Sequence, residues 1–147
     1  MGIIKVFTDG ASRGNPGKSG IGIVIYDENN FIIESYKEFI GEATNNQAEY
    51  KALIKSIDLI KKVLKKGEYS FDKIEFFSDS ELIVNQVKFD YQVKEPELAL
   101  LNNKFHVKIK KLGISYTISH IDRAQNKAAD RLANLALDSH KKTTSPH

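Results

Sequence analysis

The first forty positions carry the hydrophobic pattern of three β-strands. Residues 3–8, 20–26 and 31–40 are rich in β-branched and aromatic side chains, and the turn sequence DENN separates the second segment from the third. Because the connections between these segments are short, we predict an antiparallel meander.

After position 43 the apolar residues recur at the period of a helix. Thr44 is suited to cap a long helix over residues 45–66, with an apolar stripe at positions 53, 57, 60 and 64, and Gly67 is suited to end it. The lysines at 51, 55, 62 and 66 lie opposite that stripe, which predicts a solvated face.

The second half of the chain alternates between strand and helix patterns. The predicted elements are a strand over 73–79, a short helix from Ser80, a helical stretch from Pro96 to about 111, a strand over 113–121 and an amphipathic helix over 124–138. Since strands joined through helices run parallel, the order βββαβαβα predicts a mixed sheet in an α/β fold. We expect one domain over residues 1–138 and a disordered tail over 139–147.

Composition is that of an ordinary globular protein, with 147 residues, 41% hydrophobic and 28% charged. The absence of cysteine excludes disulfides and thiolate metal sites and agrees with a cytoplasmic location. No apolar run approaches the roughly 20 residues of a membrane span. A net charge of +3 permits a polyanionic partner without requiring one.

A glycine-rich segment at residues 7–20, FTDGASRGNPGKSG, invites comparison with a phosphate-binding loop. The P-loop pattern requires glycine where Ser12 stands and a helix after Lys18, whereas the sequence that follows, GIGIVIY, is typical of a strand. Pro16 also removes one of the amides that would bind phosphate. The segment is therefore predicted to be a tight hairpin connection.

Four acidic residues stand in positions where chemistry is expected. Asp9 and Asp79 follow the first and fourth strands, and the carboxyl ends of parallel strands face the functional crevice of an α/β sheet. Glu49 shares the apolar stripe of the long helix, and Asp130 lies within AADRLANLA. Any one of these acids alone is more typical of a helix cap, a turn former or half of an ion pair than of a functional residue. Their joint occurrence favours one shared site.

Four blocks in chain order carry a family resemblance: TDGASRGNPG, NNQAEY, SDSELIV and HIDRAQNKAADRLANLAL. Together they resemble ribonuclease H type 1, in the subgroup without a basic handle. This implies a ribonuclease H-like sheet of five strands, in the order 3-2-1-4-5, flanked by helices. It also implies an endonuclease that cuts the RNA strand of RNA–DNA hybrids and leaves 3′-hydroxyl and 5′-phosphate ends.

By the same resemblance, Asp9, Glu49, Asp79 and Asp130 would bind two Mg²⁺ ions, with Mn²⁺ as an alternative. Asp9 would bridge both ions, with Glu49 and Asp79 on the leaving-group side and Asp130 on the side of the attacking water. Two divalent ions can activate water and neutralise the developing charge. Without metal, the clustered acids repel one another, so at least one should have a raised pKa.

Amide and hydroxyl side chains near the acids are the predicted substrate contacts, since an RNA 2′-hydroxyl both donates and accepts hydrogen bonds. These residues are Ser12, Arg13, Asn15, Thr44, Asn45, Asn46, Gln47, Asn85 and Asn126. Helix capping is the alternative role for the asparagines.

His120 stands where the family has a histidine in a mobile loop that assists proton transfer or product release. It also continues the alternating face of the fifth strand, which predicts an ordered strand end, and Arg123 is a rival for phosphate handling. The segment after Asp79 lacks tryptophan and is not strongly basic, so binding through a handle is doubtful. Lys88, Tyr91 and Lys94 are candidates for doing part of the work of the handle.

The expected partner is an RNA–DNA hybrid, with double-stranded RNA as an alternative substrate, and the expected state is a monomer that does not bind membranes. Two other classes stay open. One is a non-catalytic nucleic-acid-binding domain on the same fold, which the four retained acids disfavour. The other is a nuclease of the superfamily with different specificity, such as a resolvase or transposase core.

Overall fold

The structure, a computed structural model, describes residues 2–143 and contains five strands and four α-helices within them. The elements are β1 Ile3–Gly14, β2 Gly17–Tyr26, β3 Ile32–Ala43, α1 Asn45–Lys66, β4 Lys73–Ser78, α2 Glu81–Val87, α3 Pro96–Leu112, β5 Ser115–His120, a 3₁₀ turn Arg123–Asn126 and α4 Lys127–Thr143.

One sheet contains all five strands in the order β3-β2-β1-β4-β5. The pairs β1–β2 and β2–β3 are antiparallel, while β1–β4 and β4–β5 are parallel. Both the mixed sheet and its predicted strand order are confirmed. Because β1 and β4 are neighbours and run parallel, their carboxyl ends lie next to each other.

The glycine-rich segment extends the β1–β2 hairpin. Pairing continues as far as Gly14 opposite Gly17, so both strands are longer than the sequence pattern indicates. Gly14 has φ of 103°, a value that favours glycine. The hydroxyl oxygens of Ser12 and Ser19 lie 2.6 Å apart across the hairpin. The segment is a hairpin connection, as predicted.

Helices cover both faces of the sheet. Successive side chains of β2 point to opposite faces, so this strand contacts helices on each side. Ile21 and Ile23 are buried in the same hydrophobic cluster as the apolar stripe of α1. Gly20 and Gly22 face the other way, towards α4. A Cβ added at Gly22 would lie 2.1 Å from the carbonyl oxygen of Ala129. Glycine therefore sets the close approach of α4 to the sheet.

The ends of the helices follow their capping residues. Thr44 and Gln47 form a capping box at the start of α1, and Gly67, with φ of 70°, ends the helix as predicted. The last helix differs from prediction, since it begins after the 3₁₀ turn and continues to Thr143. Residues 144–147 of the predicted tail lie outside the described residues.

Among residues 2–143, none of the helices has the length and apolarity that a membrane crossing requires.

Candidate active site

Three acids that are distant in sequence meet at the carboxyl end of the β1–β4 pair. One carboxylate oxygen from each of Asp9, Glu49 and Asp79 lies within 4.8 Å of the other two. Asp130 lines the same cavity, which has a volume of about 420 Å³. The fold thus brings all four predicted acids to one pocket.

Sheet register explains the position of the two aspartates. The parallel pairing of β1 with β4 continues through Phe7 opposite Phe77. Asp9 and Asp79 follow two residues later on each chain, where the two strands separate. Ser80 also lines the pocket and caps α2, its hydroxyl accepting a hydrogen bond from the amide of Ile83.

Helix α1 delivers Glu49 from above the sheet. Its Oε1 accepts a hydrogen bond from the backbone amide of Gly10 at 2.6 Å. A Cβ atom at Gly10 would lie 2.3 Å from the carbonyl carbon of Ala48, so this contact between strand and helix requires glycine. Gly10 therefore belongs to the site because its backbone comes close to α1.

Burial and neighbouring charge perturb Asp9 strongly. The side chain is only 5% exposed. Burial, then the charges of Glu49 and Asp79, then the hydrogen bond and charge of Asp130, raise the pKa of Asp9 to about 10. The raised carboxyl pKa expected for clustered acids is confirmed.

Glu49 is perturbed in the same direction but less. Burial and the charge of Asp79 raise its pKa to about 8, opposed by the hydrogen bond from Gly10, by Asp9 and by the positive charge of Arg123. Arg123 also lines the pocket. Within residues 2–143, it is the cationic side chain that lines this pocket.

The chemistry of this donor set suits a hard divalent cation. Carboxylate oxygens are the ligands that Mg²⁺ prefers, and a small ion needs them within a few ångströms of one another. A cation would also remove the repulsion that raises the pKa of Asp9. Asp9, Glu49 and Asp79 therefore fit a metal site, with Asp130 at the same cavity.

A buried polar network ties α1, the helix that carries Glu49, to two neighbouring helices. The Tyr50 hydroxyl donates to Gln86 Oε1 at 2.6 Å and accepts from Asn102 Nδ2 at 3.2 Å. All three residues are buried, and they tie α1 to α2 and α3. Sequence reasoning missed this network, although a tyrosine and two amides at apolar helix positions were a visible signal.

Three of the predicted substrate-binding residues line the acidic pocket: Ser12, Asn45 and Asn46. Asn15 contacts this group of residues, since its Oδ1 accepts a hydrogen bond from the Asn45 backbone amide at 3.0 Å. The Thr44 hydroxyl oxygen caps α1 by accepting a hydrogen bond from the Gln47 amide, and this bond leaves the O–H of Thr44 free to donate to a substrate oxygen.

The side chains of Gln47, Arg13 and Asn85 lie elsewhere. Gln47 completes the capping box and hydrogen bonds to Glu97 at the start of α3. The Arg13 guanidinium pairs with Asp138 of α4 at 2.8 Å, outside the cavity. Asn85 lies in α2 and, among the described residues, is not part of the pocket lining.

The interpretation of Asn126 as a substrate contact needs correction. The residue is 1% exposed, and its Nδ2 donates to the carbonyl oxygen of Thr8 at 2.9 Å. This hydrogen bond fixes the start of α4 to Thr8, the residue before Asp9, so Asn126 supports the site indirectly. The local sequence offered no sign of burial, because Asn126 sits among exposed residues.

His120 is the exposed last residue of β5, with its Nδ1 4.0 Å from Glu81 Oε2. The ordered strand end predicted from the alternating pattern is what the structure shows. Among the described residues, the lining of the acidic pocket includes Arg123 and not His120.

Comparisons with known proteins agree with this geometry. A family described as reverse transcriptase-like matches residues 7–136. Ribonuclease HI of Halobacterium salinarum is 36% identical over 140 residues, which is 93% of this chain. The solved structure of LC11-RNase H1 in complex with an RNA/DNA hybrid superposes with a TM-score of 0.85 at 39% identity, covering 93% of this chain and 98% of that one.

Some curated relatives are longer than this chain. It spans 65% of the Halobacterium protein. It spans 35% of a bifunctional protein of Mycobacterium tuberculosis, to which it is 37% identical over 140 residues, 92% of this chain.

Proposed function

The chain belongs to the ribonuclease H type 1 family, and on that basis we propose that it is an endonuclease that hydrolyses the RNA strand of RNA–DNA hybrids. One observation carries the proposal: carboxylate oxygens of Asp9, Glu49 and Asp79 lie within 4.8 Å of one another, with Asp130 at the same cavity. The RNA/DNA hybrid bound by the similar LC11 enzyme supports the choice of substrate.

Two divalent metal ions, with Mg²⁺ as the proposed species, would be held by Asp9, Glu49, Asp79 and Asp130. When bound, such ions would activate a water for attack on the phosphorus and neutralise charge on the leaving 3′ oxygen, and breaking the bond between phosphorus and that oxygen would leave 3′-hydroxyl and 5′-phosphate ends. The cavity of about 420 Å³ leaves room for a phosphate beside the carboxylates.

The chain's own side chains orient the substrate. Arg123 places a guanidinium at the pocket, where it can bind a phosphate oxygen and limit the repulsion between acids and substrate. Asn45 and Asn46 line the pocket at the start of α1, and their amides can both donate to and accept from a 2′-hydroxyl. DNA lacks that hydroxyl, so this contact would select RNA.

Cleavage of a labelled hybrid in Mg²⁺ tests the proposal. We expect cutting of the RNA strand only, with slower or no cutting of duplex DNA and double-stranded RNA. Asp9→Asn should abolish it, whereas Asp72→Asn, which changes an exposed acid before β4, should not. No cleavage by the unmodified protein, or full cleavage by Asp9→Asn, would contradict the proposal.

Several finer points stay predictions: Mg²⁺ over Mn²⁺, a monomer in the cytoplasm, and a role for His120 in proton transfer or product release. Comparing cleavage rates in the two metals and measuring the mass in solution would test the first two.

A further inference from the structure

A second concave surface lies on the outer side of α1, apart from the acidic pocket. Its volume is about 450 Å³, and β3, α1 and α3 form its walls. Lys51 and Lys55 project from α1, and Lys104 and Lys108 from α3. We refer to the space between these four lysines as the lysine groove.

The charge of the lysine groove is positive and only partly compensated. Two acids line it, Glu38 and Asp58, and Lys108 pairs with Asp58 at 2.7 Å. Within residues 2–143, no carboxylate lies within 4.0 Å of the ammonium group of Lys51 or Lys104. Two cations from different helices therefore remain available to an anion.

The remaining cation of the groove has a different neighbour. The Lys55 ammonium lies 5.2 Å from the centre of the Tyr36 ring, a cation–π contact that leaves its charge in place. Leu101 and Ile54 supply apolar surface between the charges. Lysine charges beside an apolar surface suit a nucleic-acid backbone, in which phosphates alternate with sugars, better than one small anion.

The start of α1 connects the lysine groove to the acidic pocket. Asn46 lines the acidic pocket, and Lys51 follows it along the same helix. At a rise of 1.5 Å per residue, the five residues from Asn46 to Lys51 advance about 7.5 Å along the axis. Gln47, hydrogen bonded to Glu97 of α3, lies between the two sites. The short separation of the two sites along α1 allows one duplex to contact both.

We propose that the lysine groove binds backbone phosphates of the DNA strand while the RNA strand lies at the acidic pocket. This inference rests on the proposed function, since it assigns the second strand of the same substrate. Lysine ammonium groups attract phosphates without reading bases, so the groove contributes affinity independent of sequence. It takes the place of the basic handle that the sequence lacks.

The test compares two double variants with equal loss of charge. K51A/K104A removes the two unpaired cations of the groove, and K61A/K65A removes two exposed lysines farther along α1, outside the groove lining. For the groove variant we expect KM for hybrid cleavage to rise about tenfold, with a salt dependence of log(kcat/KM) shallower by about 2. The kcat of both variants should match that of the unmodified protein.

Neutral methylphosphonate linkages identify the strand. Placed in the DNA strand, they should weaken binding of the unmodified protein but have little further effect on K51A/K104A; placed in the RNA strand, they should weaken both proteins equally. The opposite pattern would overturn the strand assignment. If an acidic peptide competes for the groove while both variants cleave hybrid alike, a protein partner would replace the DNA strand.

Failure of the groove and failure of the function are distinguishable. Fluorescence anisotropy of a labelled hybrid measures binding without cleavage. If the protein binds the hybrid in a Lys51- and Lys104-dependent way but does not cut it, the function fails and the groove stands. If it cuts the hybrid and K51A/K104A behaves like K61A/K65A, the groove fails and the function stands.

Discussion

The Gly10 amide donates a hydrogen bond of 2.6 Å to the Glu49 carboxylate, which fixes the first strand to the first helix at the point where the acids meet. The bond depends on the missing side chain of Gly10, because Ala48 occupies the space that a Cβ would need. Backbone packing and electrostatics therefore meet at one contact. A change in either should affect both stability and activity.

Gly10→Ala should separate α1 from β1. The new methyl group would lie 2.3 Å from the carbonyl carbon of Ala48, and backbone there cannot move aside without shifting Glu49. We expect the free energy of unfolding to fall by about 1–3 kcal/mol or more, the usual cost of overpacking. Urea denaturation and hybrid cleavage measure the two effects.

Ala11→Ser is the matched control for the stability effect of Gly10→Ala only, since it adds one heavy atom at the next position on β1, which is half-buried and lines the acidic pocket. Its stability should stay close to that of the unmodified protein. Equal midpoints for the unmodified protein and Gly10→Ala would show that the strand and helix can separate without cost.

Metal-free protein should lose stability as pH rises. Folding raises the pKa of Asp9 from 3.8 to about 10 and that of Glu49 from 4.5 to about 8. Between the unfolded and folded values, the folded state holds more protons than the unfolded state, so the free energy of unfolding falls with increasing pH. The slope is at most about 1.4 kcal/mol per pH unit for each proton.

Urea midpoints in EDTA at pH 5, 7 and 9 measure this effect. Mg²⁺ should flatten the decline, because a cation bound only by the folded state stabilises it. Asp9→Asn should also flatten the decline, since it removes the most perturbed acid. A metal-free protein whose stability rises across this range would contradict the raised pKa of both acids.

Asn126→Ala should act through stability. The amide of Asn126 is buried and donates to the carbonyl oxygen of Thr8, so its loss leaves a buried acceptor without that partner. The expected cost is about 1–3 kcal/mol. A true substrate contact would instead raise KM and leave the melting temperature unchanged.

Lys127→Ala, at the next and exposed position, serves as the control for Asn126→Ala. Thermal melting without substrate separates the two interpretations. An unchanged melting temperature for Asn126→Ala, together with a raised KM, would restore the substrate interpretation.

Arg123→Ala should reduce cleavage more than His120→Ala. Arg123 lines the acidic pocket, while His120 lies at the strand end beside Glu81. Loss of a charge that contacts the reacting phosphate costs on the order of a hundredfold to a thousandfold in rate. Single-turnover rates on saturating hybrid compare the two variants directly, and Arg123→Lys should recover part of the loss. A larger effect from His120→Ala would assign it the phosphate-handling role.

Much of this protein was determined locally by its sequence. The strand and helix patterns, the capping residues Thr44 and Gly67, and the antiparallel start followed by parallel crossovers together predicted a mixed sheet, and the family resemblance implied the order of its strands. Asp9 and Asp79 were predictable as site residues because strand ends in such a sheet face one crevice. Glu49 was predictable because a carboxylate on an apolar stripe needs a partner.

Only the tertiary structure decided which polar side chains face the pocket. Asn126 and Arg13 resemble substrate contacts in sequence, yet one is buried beneath Thr8 and the other pairs with Asp138. Lys51 looked like part of a solvated face until α3 brought Lys104 to the same groove. Periodicity reports the face of an element on which a residue lies. The neighbour across that face comes from another part of the chain, and packing alone brings the two together.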